Sequence, residues 1–368
     1  MRIVRLFCLC IALFTAGASQ AQTPHRKVIV DDEGFALMHL MLLGADDVDV
    51  LGVTTVSGNA WANRATALAL RGVEIAGRTD VPVVQGAMYP LVNSEALTER
   101  WEALYGKLVW KGAWMKAWVE PTAQAAPAYH GPDDAVVLPG GNARIQPSPE
   151  IAANFLIRMV HRYPGEVTIL ATGPLTNLAL AQRLDPQFAR LAKGLVMMGG
   201  SLNPHQVLNN RSAADFAREF GNSPRREFNL RFDPEAASIV ARSPWRSITV
   251  VPADPSTATQ LSPDLLKRLA NGASPAVAKF IAGLPEGWPI WDEIAAGVWL
   301  DPSIVTSQES LYIDCNTQFS AGYGDFLSWR AGYQPGLGEQ RAQVVRSVDV
   351  ARLEALMVRE VAHKTSGR

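Results

Sequence analysis

Cysteine is almost missing from this chain. Cys8, Cys10 and Cys315 are its only three in 368 residues. The first two sit in an N-terminal stretch, "MRIVRLFCLCIALFTAGASQAQ", with the form of a secretory signal. Arg2 and Arg5 precede an apolar core from Leu6 to Ala16, and Ser19-Gln20-Ala21 suits cleavage after Ala21. Residues 1–21 are therefore expected to be removed in a periplasmic or secreted protein, and the apolar core is too short to span a membrane comfortably. Cys315 would then stand alone and no internal disulfide could form, so stability must come from a buried core. An excess of either charge is also missing. With 34 Lys and Arg against 35 Asp and Glu, the net charge is −1, which excludes the basic footprint of a nucleic-acid binder and any long charged arm. Three chemical signatures are absent: the G-x-x-x-x-G-K-[ST] phosphate loop, H-E-x-x-H and G-x-S-x-G. Gly199-Gly200 after a strand is not a dinucleotide fingerprint.

What is present is a regular alternation of strand and helix. "KVIVD" reads as a strand and "FALMHLMLLGA" as a helix closed by Gly44. "VDVLGVTTVSGN" is a strand running into a turn, and "WANRATALALRGVEIAG" a helix ending at Gly77. "VPVVQGA", "VTILATGP" and "LAKGLVMMGGS" are further strands, with helices in "EIAANFLIRMVHRYPG" and "LTNLALAQRL". Short strands apolar on both faces and separated by helices predict an α/β fold: an open, mostly parallel sheet with helices on both faces. One domain over residues 27–362 is expected. Sites in such folds lie beyond the C-terminal strand ends, which puts Asp31–Glu33, Thr54–Asn59, Thr172–Asn177 and Met198–Gly200 on one rim. Residues 88–147 and 202–226 break the rhythm and read as insertions over that rim. The first carries Trp101, Trp110, Trp114 and Trp118, which either pack a small subdomain or form an aromatic wall over a flat ligand.

The rim stretch richest in chemistry is "KVIVDDEGFALMHLMLL". Asp31, Asp32 and Glu33 stand together between a buried strand and a buried helix, with no Lys or Arg in the turn. Like charges so placed repel unless something positive sits among them, and a hard divalent cation with oxygen ligands would answer that need. The plainer reading is that one acid caps the helix and the others face water. His39, inside the apolar helix, reads as a satisfied core histidine.

"VDVLGVTTVSGNAWANRATALALRGVEIAGRTDVPVVQGAMYPL", "VTILATGPLTNLALAQRLDP", "LVMMGG", "REFNLRFDPEAA" and "WDEIAAGVWLDPSIVT" occur in that order. Together they resemble the inosine–uridine-preferring nucleoside hydrolase family over nearly all of the chain beyond the leader. The resemblance implies Ca2+ at the bottom of the pocket, held by Asp31, one or both of Asp32 and Glu33, the Thr172 carbonyl and Asp292. It implies Asp31 as the base that takes a proton from the attacking water. Asn59, Glu227 and Asn229, with Asn222 a looser match, are implied as grips on the sugar. Met198 and Trp291 are expected to face the substrate as well.

Two departures from the family pattern stand out. The acidic turn is shortened, and Phe35, Ala36 and Leu37 stand where a paired Asp is expected. Trp291 replaces the His that precedes the metal Asp. An indole N–H does not titrate at neutral pH, so it can stack on a base but cannot protonate it. His130 and His205, in the insertions, are either surface loop residues or substitutes for that acid. The expected activity is hydrolysis of the N-glycosidic bond of a ribonucleoside or related N-riboside. The alternative is a catalytically degenerate periplasmic nucleoside- or sugar-binding protein. A homodimer or homotetramer is what the resemblance implies for assembly; no nucleic-acid partner is expected, and no membrane partner once the leader is cleaved.

Overall fold

A computed structural model of the chain describes residues 25–117, 130–203, 214 and 226–362. The expected leader, Trp118, His205 and Asn222 lie outside these residues. No helix among the described residues is long and apolar enough to cross a membrane.

Nine strands make one sheet. They are β1 (Arg26–Asp32), β2 (Val48–Thr55), β3 (Val83–Gln85), β4 (Val167–Ala171), β5 (Gly194–Met198), β6 (Ile248–Val251), β7 (Val305–Cys315), β8 (Phe326–Trp329) and β9 (Gln340–Val348). Their spatial order is β3-β2-β1-β4-β5-β6-β9-β7-β8. From β3 to β9 neighbours run parallel, whereas β7 pairs antiparallel with both β8 and β9. The chain leaves β1 toward β2 and β3, then returns to β1's other side with β4. That reversal opens a crevice at the C-terminal ends of β1 and β4.

Alternation along β1 decides what faces what. Val28 and Val30 join the core packed by the helices Leu37–Gly44, Asp292–Leu300 and Val350–Ala362. Ile29 joins the core on the opposite face, under the helices Ala152–Arg162, Thr176–Leu184 and Pro234–Ala241. Continuing the period of two, Asp31 turns toward the Thr176–Leu184 side and Asp32 toward the Leu37–Gly44 side. Two adjacent acids thus enter two different environments.

The helix Leu37–Gly44 is buried on nearly all sides and needs a close neighbour. Gly72, on the helix Ala62–Ile75, lets Phe35 lie flat against it: a Cβ there would come within 2.1 Å of the Phe35 ring. Gly72→Ala is expected to destabilise by about 1–3 kcal/mol through overpacking, exceeding the roughly 1 kcal/mol that Ala gains over Gly within a helix. Urea melts of the two proteins check this, and an equal or higher midpoint for the variant would refute the packing account.

Candidate active site

Asp31 is fully buried, opposite Thr54 on β2 and Ala171 on β4. Its Oδ1 accepts from the Thr54 hydroxyl at 2.5 Å and from Asn177 Nδ2 at 2.8 Å. Its Oδ2 is buried without a hydrogen-bond partner. Burial raises the carboxyl to about 7; the two hydrogen bonds pull the other way, and the Asp32 charge adds to the rise. Asn177 is itself locked, donating to the Thr55 carbonyl at 3.0 Å and accepting from the Ala87 N–H at 2.8 Å. Asn177 ends the "GPLTN" segment, and only the fold brings it to Asp31.

Asp32 Oδ1 accepts from the Thr172 hydroxyl at 2.9 Å, and Asp32 Oδ2 lies 3.7 Å from His39 Nε2. Glu33 turns outward and accepts from the Asn59 backbone N–H at 2.6 Å and from Asn59 Nδ2. Asn59 in turn accepts from the Trp110 indole at 2.6 Å. The first insertion therefore does reach the rim, since Ala113 also donates to the Gly58 carbonyl at 2.8 Å. Its tryptophans divide the two expectations. Trp101 and Trp114 are buried, Trp114 stacking on Phe232 at 4.4 Å, while Trp110 touches Asn59 at the site.

Asp292 opens the helix Asp292–Leu300, far along the chain from the acidic turn. Its carboxyl is pushed well up, first by burial and then by the charges of Asp32, Glu293, Glu33 and Glu227. Glu33 is likewise raised by burial, Asp32 and Glu227. Among the described residues, the main charges acting on Asp31, Glu33 and Asp292 are those of other acids. Acids from two distant segments thus meet around Asp32, close enough to repel one another.

Glu293 was not foreseen. Its buried carboxylate, raised to about 7 by burial, accepts from the backbone N–H groups of Leu37 and Met38. The helix Leu37–Gly44 begins at Ala36, which offers no capping side chain, so an acid from the neighbouring helix fills the gap. The unfilled cap is the one sign of this in the sequence.

The amide and carboxylate residues are held by the backbone. Asn229 Nδ2 donates to the carbonyls of Thr172 at 2.9 Å and Met198 at 3.2 Å, which joins the ends of β4 and β5. Glu227 caps the helix Phe228–Phe232, accepting from the N–H groups of Asn229, Leu230 and Gly200. Both Glu227 oxygens are engaged there. Asp233 binds the segment to its surroundings through the Thr176 hydroxyl at 2.6 Å and the Leu91 N–H at 3.0 Å. Trp291 is half-buried, edge-on to Trp288 with ring centres 6.5 Å apart. Among the described residues, neither ring nitrogen of His130 has a hydrogen-bond partner.

The family model described as inosine-uridine preferring nucleoside hydrolase matches residues 29–355. The chain belongs to that family. Uridine nucleosidase 1 of Arabidopsis thaliana is 33% identical over 287 residues, covering 76% of this chain and 72% of that protein. Two solved structures share the fold. A plant nucleoside hydrolase aligns with a TM-score of 0.67 at 23% identity, covering 92% of this chain and 99% of its own. A purine-preferring ribonucleoside hydrolase from Gardnerella vaginalis aligns with a TM-score of 0.67 at 19% identity, covering 92% and 98%. Membership in the nucleoside hydrolase family and its fold support hydrolysis of the N-glycosidic bond of nucleosides.

Nucleoside hydrolases generally bind a metal. Charge and chemistry fit a cation: carboxylates that raise one another's pKa, and, among the described residues, a buried Asp31 oxygen without a partner. The side chains are not gathered for coordination, however. Among the described residues no three His, Cys, Asp or Glu are arranged to hold one ion. Glu33 is turned to Asn59, and the Thr172 carbonyl is taken by Asn229. His39 also departs from the expected satisfied core residue, since its Nε2 has no hydrogen-bond partner.

Proposed function

We propose that this chain is an exported, calcium-dependent hydrolase of ribonucleosides or related N-ribosides. The observation that carries the reading is the mutual repulsion of Asp32, Glu33 and Asp292, with Asp31 under the Asp32 charge and Asn59 bound to Glu33. Oxygen donors of this kind suit Ca2+, and Asp31, Asp32, Asp292 and the Thr172 carbonyl would hold it, with Glu33 in reach if it leaves Asn59. A bound divalent cation would lower the pKa of water and orient vicinal sugar hydroxyls.

Asp31 is the proposed base. Thr54 and Asn177 fix one oxygen, leaving Oδ2 to take the proton of the water that attacks the anomeric carbon. The negative field of the neighbouring acids favours the cationic, oxocarbenium-like transition state. Asn229 and Asn59 offer amide groups to the sugar, and Glu227 serves chiefly as the cap that sets Asn229. Trp291 and Trp110 supply apolar ring faces for a heterocyclic base.

One observation favours the second reading, a non-catalytic nucleoside binder: Glu33 and the Thr172 carbonyl already have protein partners. A panel of purine and pyrimidine ribonucleosides, incubated with the purified protein with and without calcium, separates the two. Calcium-dependent release of reducing sugar is expected. Nucleoside binding without sugar release would establish the binder instead.

A further inference from the structure

His39 lies beneath the acid cluster, its Nε2 3.7 Å from Asp32 Oδ2. Its ring stacks on Phe35 at 4.7 Å, nearly parallel, and Phe35 is in turn pressed against Gly72. Phe280 meets Phe35 edge-on at 5.7 Å. The Ala36 backbone N–H donates to His39 Nδ1 at 3.1 Å. A nitrogen that accepts cannot carry the proton of a neutral imidazole, so the hydrogen is on Nε2. That Nε2 is buried, has no hydrogen-bond partner, and lies 3.7 Å from Asp32 Oδ2. The gap is too long for a hydrogen bond, yet a carboxylate shift of under about 1 Å would close it. The other Asp32 oxygen is already held by the Thr172 hydroxyl.

We propose that His39 is a positioning residue for Asp32: its Nε2–H and the Thr172 hydroxyl clamp the two carboxylate oxygens and set the orientation in which Asp32 serves a cation. This rests on the calcium-hydrolase reading. Residues behind a metal ligand commonly act in this way, fixing the ligand's direction without touching the ion. The role needs no change in the protonation of His39. It also accounts for Phe35, which stands where an acid is expected and instead supplies the shelf that orients the imidazole.

Two substitutions divide the two jobs of the ring. In His39→Asn, the amide oxygen can replace Nδ1 as acceptor for the Ala36 N–H, but no donor reaches Asp32. In His39→Gln, the longer side chain returns an N–H near the place of Nε2. Calcium affinity is measured by competition with a fluorescent chelator, together with the Tm of the calcium-free proteins and kcat and KM on a nucleoside cleaved by the unaltered protein. His39→Asn is expected to bind calcium about 10–100-fold more weakly with little change in calcium-free Tm, and His39→Gln to recover most of that loss. Turnover should follow affinity at limiting calcium and recover at saturating calcium.

An Asn variant that binds calcium like the unaltered protein would overturn the proposal. So would a Gln variant as weak as Asn, or affinity losses that merely track losses of calcium-free Tm. If the unaltered protein binds no calcium, the hydrolase reading fails first and this inference falls with it. If it binds calcium and turns over while both variants match it, only the role of His39 fails.

Discussion

Asp31→Asn is expected to lower kcat by about a hundred- to ten-thousand-fold at saturating calcium while leaving the fold intact. The substitution keeps the shape of the side chain and can keep an acceptor toward Thr54 and Asn177, which hold Oδ1. What it removes is the oxygen that has no partner. The same variant carries a second signature, in the pH dependence of calcium-free stability. Burial raises Asp31 to about 7, against an ordinary value of 3.8. Between those values the unfolded chain has lost the proton and the folded chain retains it, so the folded state loses stability as pH rises. Relative to Asp31→Asn, the unaltered protein should lose of order 4 kcal/mol, beginning near the ordinary carboxylate range and complete once the pH has passed about 7. Urea melts at pH 4 and pH 8 with a chelator present measure this. Equal pH responses in the two proteins would mean that Asp31 is not held as a buried acid, and a variant of full activity would remove it as the base.

Asp292→Ala should abolish turnover and calcium binding together, with a loss in kcat on the order of a thousand-fold. Stability should move in opposite directions with and without the ion. In calcium-free protein Asp292 is repelled by Asp32, Glu293, Glu33 and Glu227. Removing it relieves that repulsion, so the variant's Tm should equal or exceed that of the unaltered protein. Added calcium at a hundred times its dissociation constant should stabilise the unaltered protein by about 2.7 kcal/mol and the variant by almost nothing. Thermal melts with and without calcium read both signs. A variant that still responds fully to calcium would place the cation elsewhere, and with it the role of Asp32 and Glu33.

The parts of this protein legible in the sequence are those governed by local periodicity. Apolar runs separated by helices led to the parallel strands β1 to β5, though not to their order or to β6, and the strand-end rule led to Asp31, Thr172, Met198 and the stretch after Thr54. Less was legible at the C-terminal edge. β7 and β9 alternate partly exposed residues and form an antiparallel border that the βα rhythm does not announce. Asn222 and His205, in the second insertion, lie outside the described residues.

Local sequence settles the βα alternation, the rim on which the candidate site stands, and the clustering of three acids in one turn. Tertiary structure alone decided which acid meets which partner. Strand alternation sends Asp31 to Asn177 and Asp32 to His39, and two helices distant in sequence bring Asp292 and Glu293 against the same turn. Glu33 was drawn instead to Asn59, and Asn229 to the carbonyls ending β4 and β5. The physical reason is range: propensity and periodicity act over a few residues, whereas buried charges and unpaired backbone groups choose partners by distance in space.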